Sequence, residues 1–161
     1  MRFEDSDLFE LIEQARNSDR RRAHKALHPP EHQGIRGLLM GVVEGSYVQP
    51  HMHPTRGKNE MLVPLNGRFT VVYFDTEGRV TEHLDVSRKG DGDSMFAEVP
   101  DRTYHTVIFP GPTLMLEMSR GPYNPKTDKE FALWAPSERD SRQDIDGYIE
   151  SLKSQIGMAL S

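Results

Sequence analysis

Cysteine is absent from the 161 residues, which excludes a disulfide framework, a thiolate metal site and a thiol nucleophile together. Histidine, present seven times, becomes the main nitrogen ligand available. Basic residues are not in surplus: 20 Lys and Arg against 25 Asp and Glu leave a formal charge of −5. Phosphate binding relies on clustered cations that release counterions, and the one basic run, Arg20-Arg21-Arg22, is too short to supply them. No nucleic-acid partner is therefore expected. No apolar stretch reaches 18 residues, and the N-terminus lacks a basic segment followed by an apolar one, so the expectation is a cytoplasmic chain with no membrane partner. Glycine-rich phosphate loops, Gly-x-Ser-x-Gly elbows and dinucleotide fingerprints are missing as well.

The residues that are present describe an ordinary folded domain. With 35% hydrophobic and 28% charged residues the composition is far from that of disordered chains. A chain of this length buries roughly 68–70% of its unfolded surface and can hold a core alone. Near the start, Leu8, Leu11, Ile12 and Ala15 recur at helical spacing with Phe9 beside them. Asp5 or Ser6 is placed to cap this helix, which should end near Asn17 to Asp19. From Arg20 to Gly34 the pattern is irregular, and the Pro29-Pro30 pair forbids a continuing helix, so a linker or edge segment is expected.

Between Ile35 and Met118 short runs of Val, Ile, Leu, Tyr, Phe and Thr alternate with Gly, Pro and Asp. The spacing predicts strands over Ile35 to Val43, Ser46 to His53, Glu60 to Asn66, Arg68 to Phe74, Val80 to Leu84, Ser94 to Val99, Thr103 to Phe109 and Thr113 to Met118. Asp75-Thr76-Glu77-Gly78 reads as a hairpin turn with Gly supplying a positive φ. Many short strands with regular turns favour a mainly β sandwich or barrel. Beyond Arg120, Phe131, Leu133 and Trp134 are expected to pack back on the outside of the sheet. From Ser141 to Leu160, Ile145, Tyr148, Ile149, Leu152 and Ile156 form one stripe of an amphipathic helix. Three regions result: residues 1–34 as helix and linker, 35–120 as the β-barrel, and 121–161 as a strap and helix.

His51 and His53 lie two apart in an expected strand, so both imidazoles project to one face. Composition alone yields roughly 0.3 His-x-His pairs by chance, so the pair needs support. Glu60 opens the next apolar strand after a turn containing Gly57, where an antiparallel return brings its carboxylate beside the imidazoles. His105 follows the Pro100 turn and shares a face with Val107 and Phe109, so a polar ligand is aimed into an apolar interior. Four such groups left unsatisfied would cost several kcal/mol, which a divalent cation would recover. Lys58 shares the parity of Glu60, and Tyr47 and Gln49 share that of the two histidines; these are candidates for contact with substrate or with the ligands.

These motifs resemble a family. Gly45, His51-x-His53, Glu60 and Gly67 resemble the first cupin motif, and Pro100-x-x-x-x-His105 resembles the second. The resemblance implies a single cupin jelly-roll, a double-stranded β-helix barrel with flanking N- and C-terminal helices, holding a metal through His51, His53, Glu60 and His105. More closely, Gly45-Ser-Tyr-Val-Gln-Pro-His-Met-His-Pro, Gly57-Lys-Asn-Glu60 and the tail Gly121 to Pro136 resemble the WbuC-type cupin-fold metalloproteins, over about Arg20 to Pro136. Arg22-x-His24 and Leu27-His28 share that likeness, which brings His24 and His28 into consideration at the barrel mouth. Departures from the general pattern are Arg102 where the second motif carries Gly, Ser94 for its leading Gly and Phe109 for its closing Asn. Arg102 adds a long cation to a turn that is usually bare.

Three imidazoles and a carboxylate suit one divalent ion of Fe, Mn, Ni, Co or Zn, and the sequence does not choose among them. The function implied is binding or transformation of a small polar ligand, a sugar or sugar acid of surface-polysaccharide metabolism. The alternatives are an Fe(II)-dependent cupin dioxygenase and a non-catalytic ligand-binding or sensor module. No catalytic nucleophile or base is singled out. The terminal helices and the 131–134 segment are available to cover barrel edges or to form a homodimer contact.

Overall fold

The computed structural model describes residues 5–158, with side chains from Phe9 onward. Ten strands and two helices follow in the order α1 (Asp5–Arg16), β1 (Arg22–Ala26), β2 (Ile35–Val42), β3 (His51–Met52), β4 (Glu60–Asn66), β5 (Arg68–Phe74), β6 (Val80–Ser87), β7 (Ala97–Val99), β8 (Tyr104–Ile108), β9 (Thr113–Arg120), β10 (Glu130–Phe131) and α2 (Arg142–Gln155). The strands form two antiparallel five-stranded sheets, one ordered β1-β2-β9-β4-β7 and the other β10-β3-β8-β5-β6. Consecutive strands β4 and β5 fall in different sheets, as a jelly-roll requires.

The core joins inward residues of both sheets, among them Val42, Leu62 and Met115 from one and Phe69, Val71, Val107 and Phe109 from the other. β5 is buried at six consecutive positions because both of its faces are covered. Val71 meets the opposite sheet, while Val72 and Phe74 join Ile108, Leu152 and Ile156 in a second cluster involving α2. Leu11 of α1 packs with Leu39 and Leu114 on the outer face of the first sheet. Ser141 caps α2, its hydroxyl accepting from the Asp144 N–H. The β5–β6 turn places Gly78 at φ 84, where a Cβ would fall 2.6 Å from the Trp134 ring.

Several elements differ from the sequence-based expectation. The strand expected over Ser46 to His53 is reduced to His51–Met52. Its first half is held by side chains: Arg22 Nη1 donates to Tyr47 O at 2.6 Å and Thr106 Oγ1 donates to Val48 O, while Pro50 has no N–H to give. The Arg20 to Gly34 segment contains an edge strand, β1, paired along β2 from Arg22↔Val42 to Ala26↔Leu38. β7 begins only at Ala97, and Ser94 makes an isolated bridge to Val86. Trp134 packs on Phe74 and Tyr104, with ring centroids 5.0 and 5.9 Å away, but Leu133 is 99% exposed. The local turn after β10 points Leu133 away from the sheet. Phe9 is also exposed, off the buried Leu11 and Ala15 stripe. α2 ends at Gln155, short of the expected Leu160, which lies outside the described residues, and the side chains of the expected caps Asp5 and Ser6 and of Leu8 are likewise outside what is described.

Candidate metal centre

Strand register assembles the centre. His51 of β3 stands opposite His105 of β8, and β8 in turn pairs with β5. Glu60 opens β4 in the facing sheet, opposite Ser119 and Val99. Paired residues share a face, so all four side chains enter the space between the sheets. His51, His53, Glu60 and His105 are buried, and one potential ligand atom from each lies within 4.8 Å of the others.

The hydrogen bonds decide which ring nitrogens are free. His51 Nδ1 lies 2.9 Å from Gln49 O, His53 Nδ1 2.6 Å from Asp128 O, and His105 Nδ1 3.0 Å from Thr103 O. A carbonyl only accepts, so each Nδ1 carries the proton and, in the neutral ring, each Nε2 presents a lone pair. His51 Nε2 and His53 Nε2 have no hydrogen-bond partner. His53 Nε2 is 2.8 Å from Glu60 Oε1 without the alignment of a hydrogen bond, and His105 Nε2 is 3.3 Å from Glu60 Oε2. Three nitrogen lone pairs and a carboxylate thus converge in a buried space. Such acceptors repel one another unless a cation lies between them, so the donor set fits a divalent transition ion.

Without a cation, protons must take its place. Burial holds the His51 imidazole well below its ordinary pKa, with Lys129 and His105 adding to the effect. Burial also opposes charge on His53, but Glu60 outweighs it and raises the pKa. Glu60 itself stays well below the carboxylate range; burial would raise it, and the close imidazoles of His105 and His53 outweigh that.

The other sequence candidates are placed differently. Lys58 is buried, yet it does not face the ligands. Its Nζ pairs with Asp128 and donates to Pro122 O at 3.4 Å. Gln49 acts through its backbone carbonyl on His51, while its side chain donates to Ala132 O at 3.4 Å. Tyr47 points elsewhere, its hydroxyl donating to Pro136 O at 2.7 Å and its ring set edge-on to Tyr148. It lines a cavity of about 740 Å³ beside α2, whose lining includes none of the four clustered residues. The strand parity that grouped Tyr47 and Gln49 with the histidines fails because residues 46–50 are not a regular strand.

Arg102 is exposed at φ 55, its N–H donating to His53 O at 2.8 Å and its side chain near Asp101. That left-handed backbone is one that glycine adopts without strain. His28 stacks on His32 at 4.5 Å and accepts from the Gly37 N–H, and His24 is exposed on β1; neither belongs to the four-residue group.

Three residues near the centre were not assigned to it by sequence reasoning. Asp128, expected to be part of a packed strap, holds His53 through its carbonyl and pairs with Lys58 through its carboxylate. Glu117 faces inward on β9, opposite Leu62, and burial, then the charge of Glu60, pushes its carboxyl up to about 8. Lys129 adjoins Asp128 and influences both His51 and His53. The inward parity of Glu117 with Met115 was the available signal, since an acid there interrupts an apolar face.

Two facing antiparallel sheets with this ligand cluster between them define a cupin-fold protein. The family described as Domain of unknown function (DUF6016) matches residues 3–86, and the chain belongs to it. No curated protein matches the sequence. The capsular polysaccharide assembling protein CapF from Staphylococcus aureus is similar in structure, with a TM-score of 0.56 and 14% identity, over 71% of this chain and 32% of that one. Protein SO0799 from Shewanella oneidensis gives 0.54 and 16%, over 76% and 84%. DMSP lyase DddQ from Ruegeria pomeroyi gives 0.51 and 19%, over 72% and 54%. The chain therefore spans about a third of CapF and about half of DddQ, and at these identities the likeness concerns the fold. Among the described residues no helix is long and apolar enough to cross a membrane.

Proposed function

We propose that the protein is a metal-binding cupin that holds one divalent transition ion on His51, His53, Glu60 and His105 and binds or transforms a small polar ligand there. The observation that carries this reading is the fixing of three Nδ1 atoms by backbone carbonyls, which turns three lone pairs toward one carboxylate. The ion, when bound, supplies Lewis acidity that polarises a carbonyl or hydroxyl oxygen of the ligand. Glu60 contributes the single negative charge of the donor set. Glu117 holds a proton against Glu60, and the Gln49, Asp128 and Thr103 carbonyls orient the three rings.

The finer assignment, a WbuC-type protein acting on a sugar or sugar acid of surface-polysaccharide metabolism, rests on the motif resemblance. The description of CapF as a capsular polysaccharide assembling protein is in keeping with it. Elemental analysis of protein purified without a chelating tag tests the metal reading. The native chain is expected to hold about one ion, and His51→Ala and His105→Ala well under one, with the β circular-dichroism signal retained. Full metal retention in both variants overturns the ligand assignment. A screen of sugars and sugar acids against the loaded chain tests the ligand class, and oxygen uptake by the Fe(II) form would redirect the reading to a dioxygenase.

A further inference from the structure

β10 and β3 pair antiparallel, with Glu130 opposite Met52 and Phe131 opposite His51. The paired stretch ends there; carried one residue further, its register would set Lys129 opposite His53, whose Nδ1 lies 2.6 Å from the carbonyl of the preceding residue, Asp128. Directly opposed residues share a face, and so do residues two apart on one strand. Lys129 therefore lies on the face that carries Phe131, His51 and His53. The Phe131 ring, 6.0 Å from that of His51, marks this face.

Lys129 is half-buried there, and among the described residues no carboxylate is within ion-pairing distance of it. Its acidic neighbours in sequence are engaged elsewhere: Asp128 pairs with Lys58, and Glu130 accepts from the Tyr104 hydroxyl at 3.0 Å. Its charge reaches His51 and His53 on one sheet and Glu117 and His24 on the other. Lys129 thus lies where its charge acts on groups of both sheets, although it is not one of the four clustered ligands.

We infer that Lys129 is the counter-ion for the ligand of this site, and that the ligand is a small carboxylate, such as a 2-hydroxy acid, held between the ion and the Lys129 ammonium. This rests on the metal-binding reading above. A divalent ion and Lys129 bring three positive charges against the one on Glu60. Ionising Glu117 as well would still leave a net positive charge, which favours an anion over a neutral polyol. A single ammonium is a point charge suited to one carboxylate, whereas phosphate is usually met by several donors or an arginine fork. The exposed edge of Phe131 supplies an apolar wall on the same face.

The test uses the Co(II)-loaded full chain, with metal content from elemental analysis and binding followed by the visible absorption of the cobalt. Glycolate and its neutral analogue glycolamide are the probes. The native chain is expected to prefer glycolate, with roughly tenfold of that preference coming from Lys129 as one charge-assisted contact. Lys129→Met should weaken glycolate binding by about that factor while leaving glycolamide binding and metal content unchanged, the ion keeping its own share of the preference, and Lys129→Arg should retain most of the affinity. A Lys129→Met chain that binds glycolate as tightly as the native one, or one that loses its metal, overturns the inference. So does a native chain that binds cobalt but does not distinguish the probes, an outcome that leaves the metal reading standing. A native chain that takes up no cobalt refutes the metal reading, and this inference with it.

Discussion

The Lys58–Asp128 pair lets the support beneath the centre be separated from the centre itself. Lys58 is 5% and Asp128 8% exposed, so Lys58→Met removes one charge and leaves the other enclosed. Breaking a buried pair in this way costs about 3–5 kcal/mol, a large share of the about 5–15 kcal/mol that holds a typical domain together. For a chain of this size that corresponds to a melting temperature lower by roughly 6–20 °C. Replacing both partners, as in Lys58→Met with Asp128→Asn, leaves no bare charge and should recover much of the loss. Metal binding should respond in parallel. The Asp128 carbonyl fixes His53 Nδ1, and loss of such a supporting contact lowers metal affinity about 10–100-fold. Thermal melts and competitive metal titrations on the two single variants and the double variant complete the cycle. A Lys58→Met chain that melts within a degree or two of the native one, with unchanged affinity, would refute the buried pair and its coupling to His53.

Metal affinity should fall on acidification, because protons and metal compete for the same Nε2 lone pairs. His53 is raised above the ordinary histidine value of about 6.5. Its competition therefore begins on the alkaline side of that value and is complete below it, while His51, held low, joins only at greater acidity. A chelator titration that is flat from pH 8 to pH 5 would contradict a histidine centre. Arg102→Gly removes a side chain from φ 55, relieving about 1–2 kcal/mol of left-handed strain against about 0.5–1 kcal/mol of added chain entropy. A melting temperature unchanged or raised by a degree or two, with metal content unaltered, is the expected result; a clear loss would mean that the Asp101 contact outweighs the backbone.

Much of this molecule was legible along the chain. Glu60–Asn66 and Arg68–Phe74 are strands over the residues that local pattern predicts. Their apolar residues alternate or run continuously between turn-forming Gly57, Gly67 and Gly78, and both signals are local. The α2 stripe was equally clear, since Ile145, Leu152 and Ile156 need only helical periodicity to share a buried side. The chemical character of a possible centre, imidazole and carboxylate without thiolate, follows from composition and spacing. Tertiary structure decided what spacing cannot. Tyr47 and Gln49 leave the expected face because Arg22 and Thr106, distant in sequence, take the carbonyls that a strand neighbour would have used. Lys58 turns to Asp128, 70 residues on, since a buried ammonium requires a counter-charge wherever the fold brings one. The ring tautomers, the inward acid at Glu117 and the hold of the Asp128 carbonyl on His53 all depend on which backbones meet. Those meetings are long-range, and a pattern of period two or 3.6 carries no information about them.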